Sequence, residues 1–156
     1  MKRAVFPGTF DPITRGHYNI ILKGLSLFDE IIIAIGTNSK KQHLFNLEKR
    51  LEWIRTAFEH EKKIKVATYT GLTVDFCKHI EAGFILRGLR NASDFEYEQS
   101  IAYANKEMQP GIETVFVLAN PAFSTVSSTL VREIIIAGGD ISRFVPENIQ
   151  IHKPHS

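Results

Sequence analysis

The tightest constraint on this chain is its opening, where a short apolar run, Arg3-Ala4-Val5-Phe6, leads at once into Pro7-Gly8-Thr9-Phe10-Asp11-Pro12-Ile13-Thr14-Arg15-Gly16-His17. The run reads as a strand, and the Pro and Gly behind it predict that regular structure breaks before a helix begins. Ile20, Ile21, Leu25 and Phe28 give that helix an apolar stripe. His17 falls in its first turn, where unsatisfied backbone N–H groups and the positive end of the helix dipole favour an anion. Strand, glycine-bearing loop and histidine together outline a phosphate site. Taken singly, His17 reads as a surface or capping residue, and Gly16 as relief where helix meets strand. The order of the whole run is what favours the phosphate site.

Farther along, residues 30–35 form a β-branched run suited to a strand buried on both faces of a parallel sheet. A polar loop over residues 36–41 follows, ending in Lys40 and Lys41. Asn46 is placed to cap a helix with Leu47, Leu51, Ile54 and Phe58 on one face. Residues 64–69 alternate as a strand, and residues 73–82 read as a helix closed by Gly83 in the left-handed conformation. Residues 84–86 form a short strand that runs into a loop, Arg87-Gly88-Leu89-Arg90. A helix over about 93–108 stops at Pro110-Gly111, residues 113–118 make the last strand, and Ser127-Ser128-Thr129 open a helix to about Ala137, before Gly138-Gly139.

Five strands alternating with helices predict an α/β fold with a single doubly wound, five-stranded parallel sheet. Ligands in such sheets bind beyond the carboxyl ends of the strands. The polar clusters at 7–17, 37–41, 87–90 and 124–129 each follow a strand, so they are expected to meet at that edge.

With 156 residues the chain is expected to be one domain, 1–156, and its net charge of +2 gives no surface for coating nucleic acid. The first apolar run is too short for a signal peptide and no segment approaches a membrane span, so a cytoplasmic protein with neither a nucleic-acid nor a membrane partner is expected. The single Cys77 sits in an apolar-periodic stretch and reads as a buried structural thiol.

Lysines on a loop are ordinarily a solvated pair, but at the carboxyl edge of a central strand they can neutralise a phosphoryl group in transfer. Arg87 and Arg90 flank Gly88 directly after a buried strand, which suits guanidinium clamps on an anion with the backbone drawn close to it. Ser127, Ser128 and Thr129 read as helix caps whose hydroxyl and N–H groups could also hold the β- and γ-phosphates of a nucleotide, with Arg132 one turn on. Residues 94–98 read as an acidic, solvated first turn, with Glu98 able to face the cleft. The sequence carries no Walker loop, zinc spacing or Ser-His-Asp pattern, and no metal-ligating set is expected.

The opening run through Gly16-His17, the segment 41–50, the stretch Arg87-Gly-Leu-Arg-Asn-Ala-Ser-Asp-Phe-Glu-Tyr-Glu98 and Ser127-Ser-Thr-Leu-Val-Arg-Glu133 together resemble the bacterial phosphopantetheine adenylyltransferase family, in the nucleotidyltransferase superfamily. The resemblance implies a Rossmann-like fold and transfer of AMP from ATP to 4′-phosphopantetheine, with Mg2+ accompanying the nucleotide. It implies catalytic roles for His17, Lys41 and Thr9. Thr9, Lys41, Leu72, Thr73 and Arg87 would hold phosphopantetheine. Thr9, Phe10, His17, Gly88, Leu89, Arg90, Glu98, Phe123, Ser124, Thr125, Val126, Ser127, Ser128 and Thr129 would bind ATP. Counting back from Phe45 favours Lys41 over Lys40 for the family lysine. A homohexamer is implied as well, whereas residues 150–156 lack the family's closing helix, which bears on peripheral packing. Two other classes stay open: a relative acting on another phosphorylated acceptor, and a nucleotide-binding regulator without catalysis.

Overall fold

The structure, a computed structural model, describes residues 1–37 and 40–154. Asn38 and Ser39 of the expected polar loop, and His155 and Ser156 of the tail, lie outside the described residues. Strands β1 (Arg3–Gly8), β2 (Glu30–Gly36), β3 (Ile64–Tyr69), β4 (Phe84–Leu89) and β5 (Glu113–Leu118) alternate with helices α1 (Arg15–Gly24), α2 (Leu47–Ala57), α3 (Thr73–His79) and α4 (Ala92–Met108), and α5 (Ser128–Ile136) follows β5. The strands form a five-stranded sheet in the order β3-β2-β1-β4-β5, and every pairing is parallel, as the periodicity predicts.

Alternation along β1 and β2 divides the core between the two faces. Ala4, Phe6, Ile31, Ile33 and Ile35 pack with residues of α1, α2 and α5, including Ile21, Ile54 and Val131. Val5, Ile32, Ala34 and Ile85 pack with Val74 and Cys77 of α3 on the other face. Cys77 is wholly buried there, and burial pushes its thiol up to about 11, so it is inert packing.

Four element ends differ from the sequence reading, the first being α1, which stops at Gly24 and leaves Phe28 of the expected stripe beyond it. β1 continues through Pro7 and Gly8, which pair in register with Ala34 and Ile35. Arg87 on β4 donates Nη1 to the carbonyl of Pro7 at 2.7 Å, so that carbonyl faces β4, and the absent proline donor lies on the same side. The backbone ladder to β4 has ended by then, with Val5 opposite Ile85, so no ladder bond is lost.

β4 likewise runs on to Leu89, with Arg87 and Gly88 opposite Phe116 and Val117 of β5, rather than turning into a loop after Leu86. A Cβ at Gly88 would lie 2.6 Å from Ile20 Cγ1, so this glycine admits α1 against the sheet. α3, finally, stops at His79, and the left-handed residue is Glu81 (φ 58), not Gly83. Ala82 N–H donates to the Cys77 carbonyl at 2.8 Å and Glu81 N–H to that of Lys78 at 3.2 Å, the paired bonds of a Schellman turn.

Among the described residues the stretch after α5 has no helix, yet it is integral to the core. Ile141, Val145 and Ile149 are each less than a tenth exposed. Arg15 fastens the stretch to the start of α1 by Nε to the Val145 carbonyl (2.8 Å), Nη2 to the Ser142 carbonyl (3.1 Å) and its backbone N–H to the Phe144 carbonyl (2.8 Å).

Candidate active site

Two adjoining cavities open at the carboxyl edge of the sheet. The larger, about 450 Å³, lies between the loop after β1, the start of α1, the end of β4 and the start of α5. The smaller, about 300 Å³, reaches over β2 and β3 towards Thr73 and the inner side of α4. Pro7, Gly8, Thr9, Lys41, Arg87 and Glu98 line both and form the wall between them.

His17 owes its position to a capping box at the head of α1: its N–H donates to Thr14 Oγ1 at 3.3 Å, and its Nδ1 accepts from Thr14 N–H at 3.0 Å. With Nδ1 an acceptor, the ring proton resides on Nε2. The ring meets Phe10 edge-on at 4.9 Å and Phe6 at 6.4 Å. Burial, and then the charges of Arg87 and Arg90, lower its pKa to about 4, so at neutral pH it is an uncharged imidazole with one N–H to give. Phe10 itself sits at φ 50, a conformation costing about 1–2 kcal/mol for a residue with a Cβ. Its ring, 2% exposed, is wedged 5.7 Å from Phe6, and that burial holds the strained residue in place.

Neither clamp arginine is bare. Arg87 makes a two-pronged pair with Glu98, Nε to Oε2 at 2.9 Å and Nη2 to Oε1 at 2.6 Å. Arg90 is held by Asp94 through Nε at 3.1 Å and Nη2 at 3.3 Å. Asp94 and Glu98 stand one turn apart on α4, so a single helix face aims both guanidiniums. Burial works to raise the Asp94 carboxyl, but the bonds from Arg90 and Asn91 outweigh it and keep it below its ordinary value.

Of the residues singled out in the sequence, Thr9, Phe10, His17, Lys41, Arg87, Gly88, Arg90, Glu98, Val126, Ser127, Ser128 and Thr129 line the larger cavity, and Thr9, Lys41, Thr73, Arg87 and Glu98 the smaller. Lys40 lines neither, which separates the two lysines. Leu72, Leu89, Phe123, Ser124 and Thr125 are not brought to either wall. Leu72 is an exposed residue before α3, and Leu89 is buried at the end of its strand. The carbonyls of Phe123 and Val126 instead pack over Gly16, where a Cβ would come within 3.9 and 3.4 Å of them. Ser127 Oγ accepts from Leu130 N–H at 3.1 Å as a cap, and Ser128 Oγ donates to the Pro12 carbonyl at 2.8 Å, joining α5 to the first loop.

The sequence reading passed over the residues that hold this edge rigid. Asp11, 2% exposed, accepts the N–H groups of Leu44 (2.8 Å) and Phe45 (3.0 Å), tying the lysine loop to the first loop. Arg50, buried, donates to the carbonyls of Phe45 (3.1 Å) and Thr9 (2.9 Å). A signal for it was present: Leu47, Arg50, Leu51 and Ile54 share one helical face, so the arginine had to point inward. Among the described residues no group of three or more His, Cys, Asp or Glu could hold a metal ion. The acids beside the cavity are already engaged, Asp11 by backbone and Asp94 and Glu98 by arginine.

Residues 5–134 match the cytidylyltransferase-like family. A phosphopantetheine adenylyltransferase of Christiangramia forsetii is 52% identical over 150 residues, spanning 96% of this chain and 99% of its own. One of Bacteroides thetaiotaomicron is 47% identical over 97% of this chain and 100% of its own. Among solved structures, a bifunctional NMN adenylyltransferase/ADP ribose pyrophosphatase of Francisella tularensis, complexed with AMP and manganese, superposes with a TM-score of 0.70 at 18% identity. It covers 95% of this chain and 45% of that one. This likeness concerns the fold.

Proposed function

The chain belongs to the phosphopantetheine adenylyltransferases, within the cytidylyltransferase-like family, and from that premise we propose how its cavities divide the reaction. It is an enzyme that joins ATP and 4′-phosphopantetheine, giving dephospho-coenzyme A and pyrophosphate. ATP takes the larger cavity and 4′-phosphopantetheine the smaller. One observation carries this division: the two spaces share a wall made of Thr9, Lys41 and Arg87, so two ligands entering from either side meet phosphate to phosphate.

An oxygen of the acceptor phosphate attacks the α-phosphorus of ATP, a new P–O bond forms, and the bond to the bridging oxygen breaks opposite it, releasing pyrophosphate. The acceptor is already an anionic nucleophile, so no side chain needs activating and no covalent intermediate arises. His17 Nε2–H donates to a non-bridging α-phosphate oxygen as charge builds there. Lys41, Thr9 and Arg87 hold the acceptor phosphate, with Glu98 fixing the orientation of Arg87. Tyr69, whose hydroxyl lies 2.8 Å from Thr73 Oγ1, lines the arm of phosphopantetheine with Thr73.

Mg2+ would accompany the phosphates of ATP and neutralise part of their charge; among the described residues the acids of the site form no cage for it, and no step here runs through it. A homohexamer is part of the same reading, supported by α4, which leaves Tyr97, Tyr103 and Met108 exposed. No helix of the described residues is long and apolar enough to cross a membrane, and a cytoplasmic setting is proposed with the substrates.

The test is pyrophosphate release by purified protein. It is expected with ATP plus 4′-phosphopantetheine. Release with CTP and another phosphate ester but none with this pair would reject the reading, as would binding of ATP without turnover.

A further inference from the structure

The arginines around the larger cavity differ in their partners. Arg87 and Arg90 each carry a carboxylate. On the side formed by the lysine loop and α5, the guanidiniums spend their hydrogen bonds on neutral oxygens. Arg132 donates to the Asp11 carbonyl at 2.9 Å and to Thr129 Oγ1 at 3.1 Å, and Arg50 to the two carbonyls already described. The carboxylate of this side, Asp11, has both oxygens on backbone N–H groups.

His43 stands within this group and lines the cavity. Its side chain is 21% exposed, and its Nδ1 lies 3.9 Å from Asp11 Oδ2, beyond hydrogen-bond reach. Burial first, then the charges of Arg50, Lys41 and Arg132, lower its pKa, with Asp11 alone among the charges acting the other way. A phosphate anion placed there would meet an excess of positive charge and an imidazole able to give it a hydrogen bond.

We propose that His43 is a substrate-binding residue that donates to the part of ATP that leaves as pyrophosphate. This rests on the reading that ATP occupies the larger cavity. If the α-phosphate lies at the wall shared with the acceptor, the outer two phosphates, which carry most of the charge, run to the side where the Arg132 guanidinium meets only neutral oxygens. That side holds Thr129 at the start of α5, Arg132 and His43. His43 thereby distinguishes ATP and pyrophosphate, which have this group, from phosphopantetheine and dephospho-coenzyme A, which do not.

The experiment measures binding of four molecules by calorimetry, ATP, pyrophosphate, 4′-phosphopantetheine and dephospho-coenzyme A, to the full chain and to His43→Ala and His43→Gln. Loss of one hydrogen bond to a charged ligand is expected to weaken ATP and pyrophosphate about five- to tenfold in His43→Ala, with partial recovery in His43→Gln. Phosphopantetheine and dephospho-coenzyme A should stay within about twofold, and the melting temperature should hold. Unchanged ATP and pyrophosphate affinities would overturn the proposal. So would equal weakening of all four ligands, which marks a merely structural residue. Because binding is read without turnover, failure here is separable from failure of the pyrophosphate-release test on the unaltered chain.

Discussion

His17 performs two tasks with two nitrogens: Nδ1 accepts the Thr14 N–H and completes a helix cap, while Nε2 carries the proton proposed to meet the α-phosphate. Substitution separates them. His17→Gln keeps a side-chain oxygen able to reach back to Thr14 N–H, so its melting temperature is expected to stay near that of the parent, whereas His17→Ala loses the cap at about 1 kcal/mol. Both should lower kcat by roughly two to three decades, the scale for one transition-state donor, and steady-state kinetics beside thermal melts would read the contrast. Near-parental kcat in both variants would make His17 structural. The sign of the pH effect follows from the same burial. The folded value of about 4 lies below the ordinary 6.5, so between those values the unfolded chain binds a proton that the folded chain does not. Stability therefore falls as pH drops from 6.5 towards 4, and denaturant titrations at pH 7 and pH 5 should show a smaller fall in His17→Gln. At this scale, His17 and Lys41 were legible by position and not by residue type: each follows a strand at the carboxyl edge, and both line the larger cavity. Asp11 and Arg50 were not, nor was the pairing of Glu98 with Arg87 and of Asp94 with Arg90, because what these groups do depends on partners across space, in some cases over 30 positions away.

β4 and α1 meet at Gly88, and the contact decides how near His17 comes to Arg87. Gly88→Ala would force its Cβ to within 2.6 Å of Ile20 Cγ1, on a side chain that is 3% exposed and cannot swing away freely. A loss of about 1–3 kcal/mol is expected on denaturant unfolding, and the double variant Gly88→Ala, Ile20→Ala is expected to lose less than the sum of the two single variants, because the added methyl finds room. Simple additivity of the two losses would show that the contact is not the cause. The elements themselves were well marked in the sequence, since β-branched runs and Asn46 or Ser127 caps carry their physics locally. Their ends were misread where a residue's usual meaning was overridden by its neighbour: Pro7 where the ladder had already parted, Gly88 under Ile20, Glu81 in place of Gly83.

Across the whole molecule, the order β3-β2-β1-β4-β5 sets β1 in the middle, so the loop after it lies between the lysine loop that follows β2 and the arginines at the end of β4. That loop is also held from the far end of the chain, by Arg15 on residues 142–145, Ser128 on Pro12 and Arg132 on Asp11. Removing residues 140–156 would strip Ile141, Val145 and Ile149 from the core, each worth about 1.5–3 kcal/mol, a sum comparable to the net stability of a domain. Such a truncation is expected to lose cooperative unfolding by circular dichroism, whereas removing only residues 154–156 should leave the melt unchanged. A cooperative, near-parental melt in the shorter chain would refute the role given to this stretch. The dependence also orders events in time. During translation the phosphate loop leaves the ribosome about 130 residues before the carbonyls that Arg15 grips, so a nascent chain already carrying every proposed catalytic group still lacks its clasp.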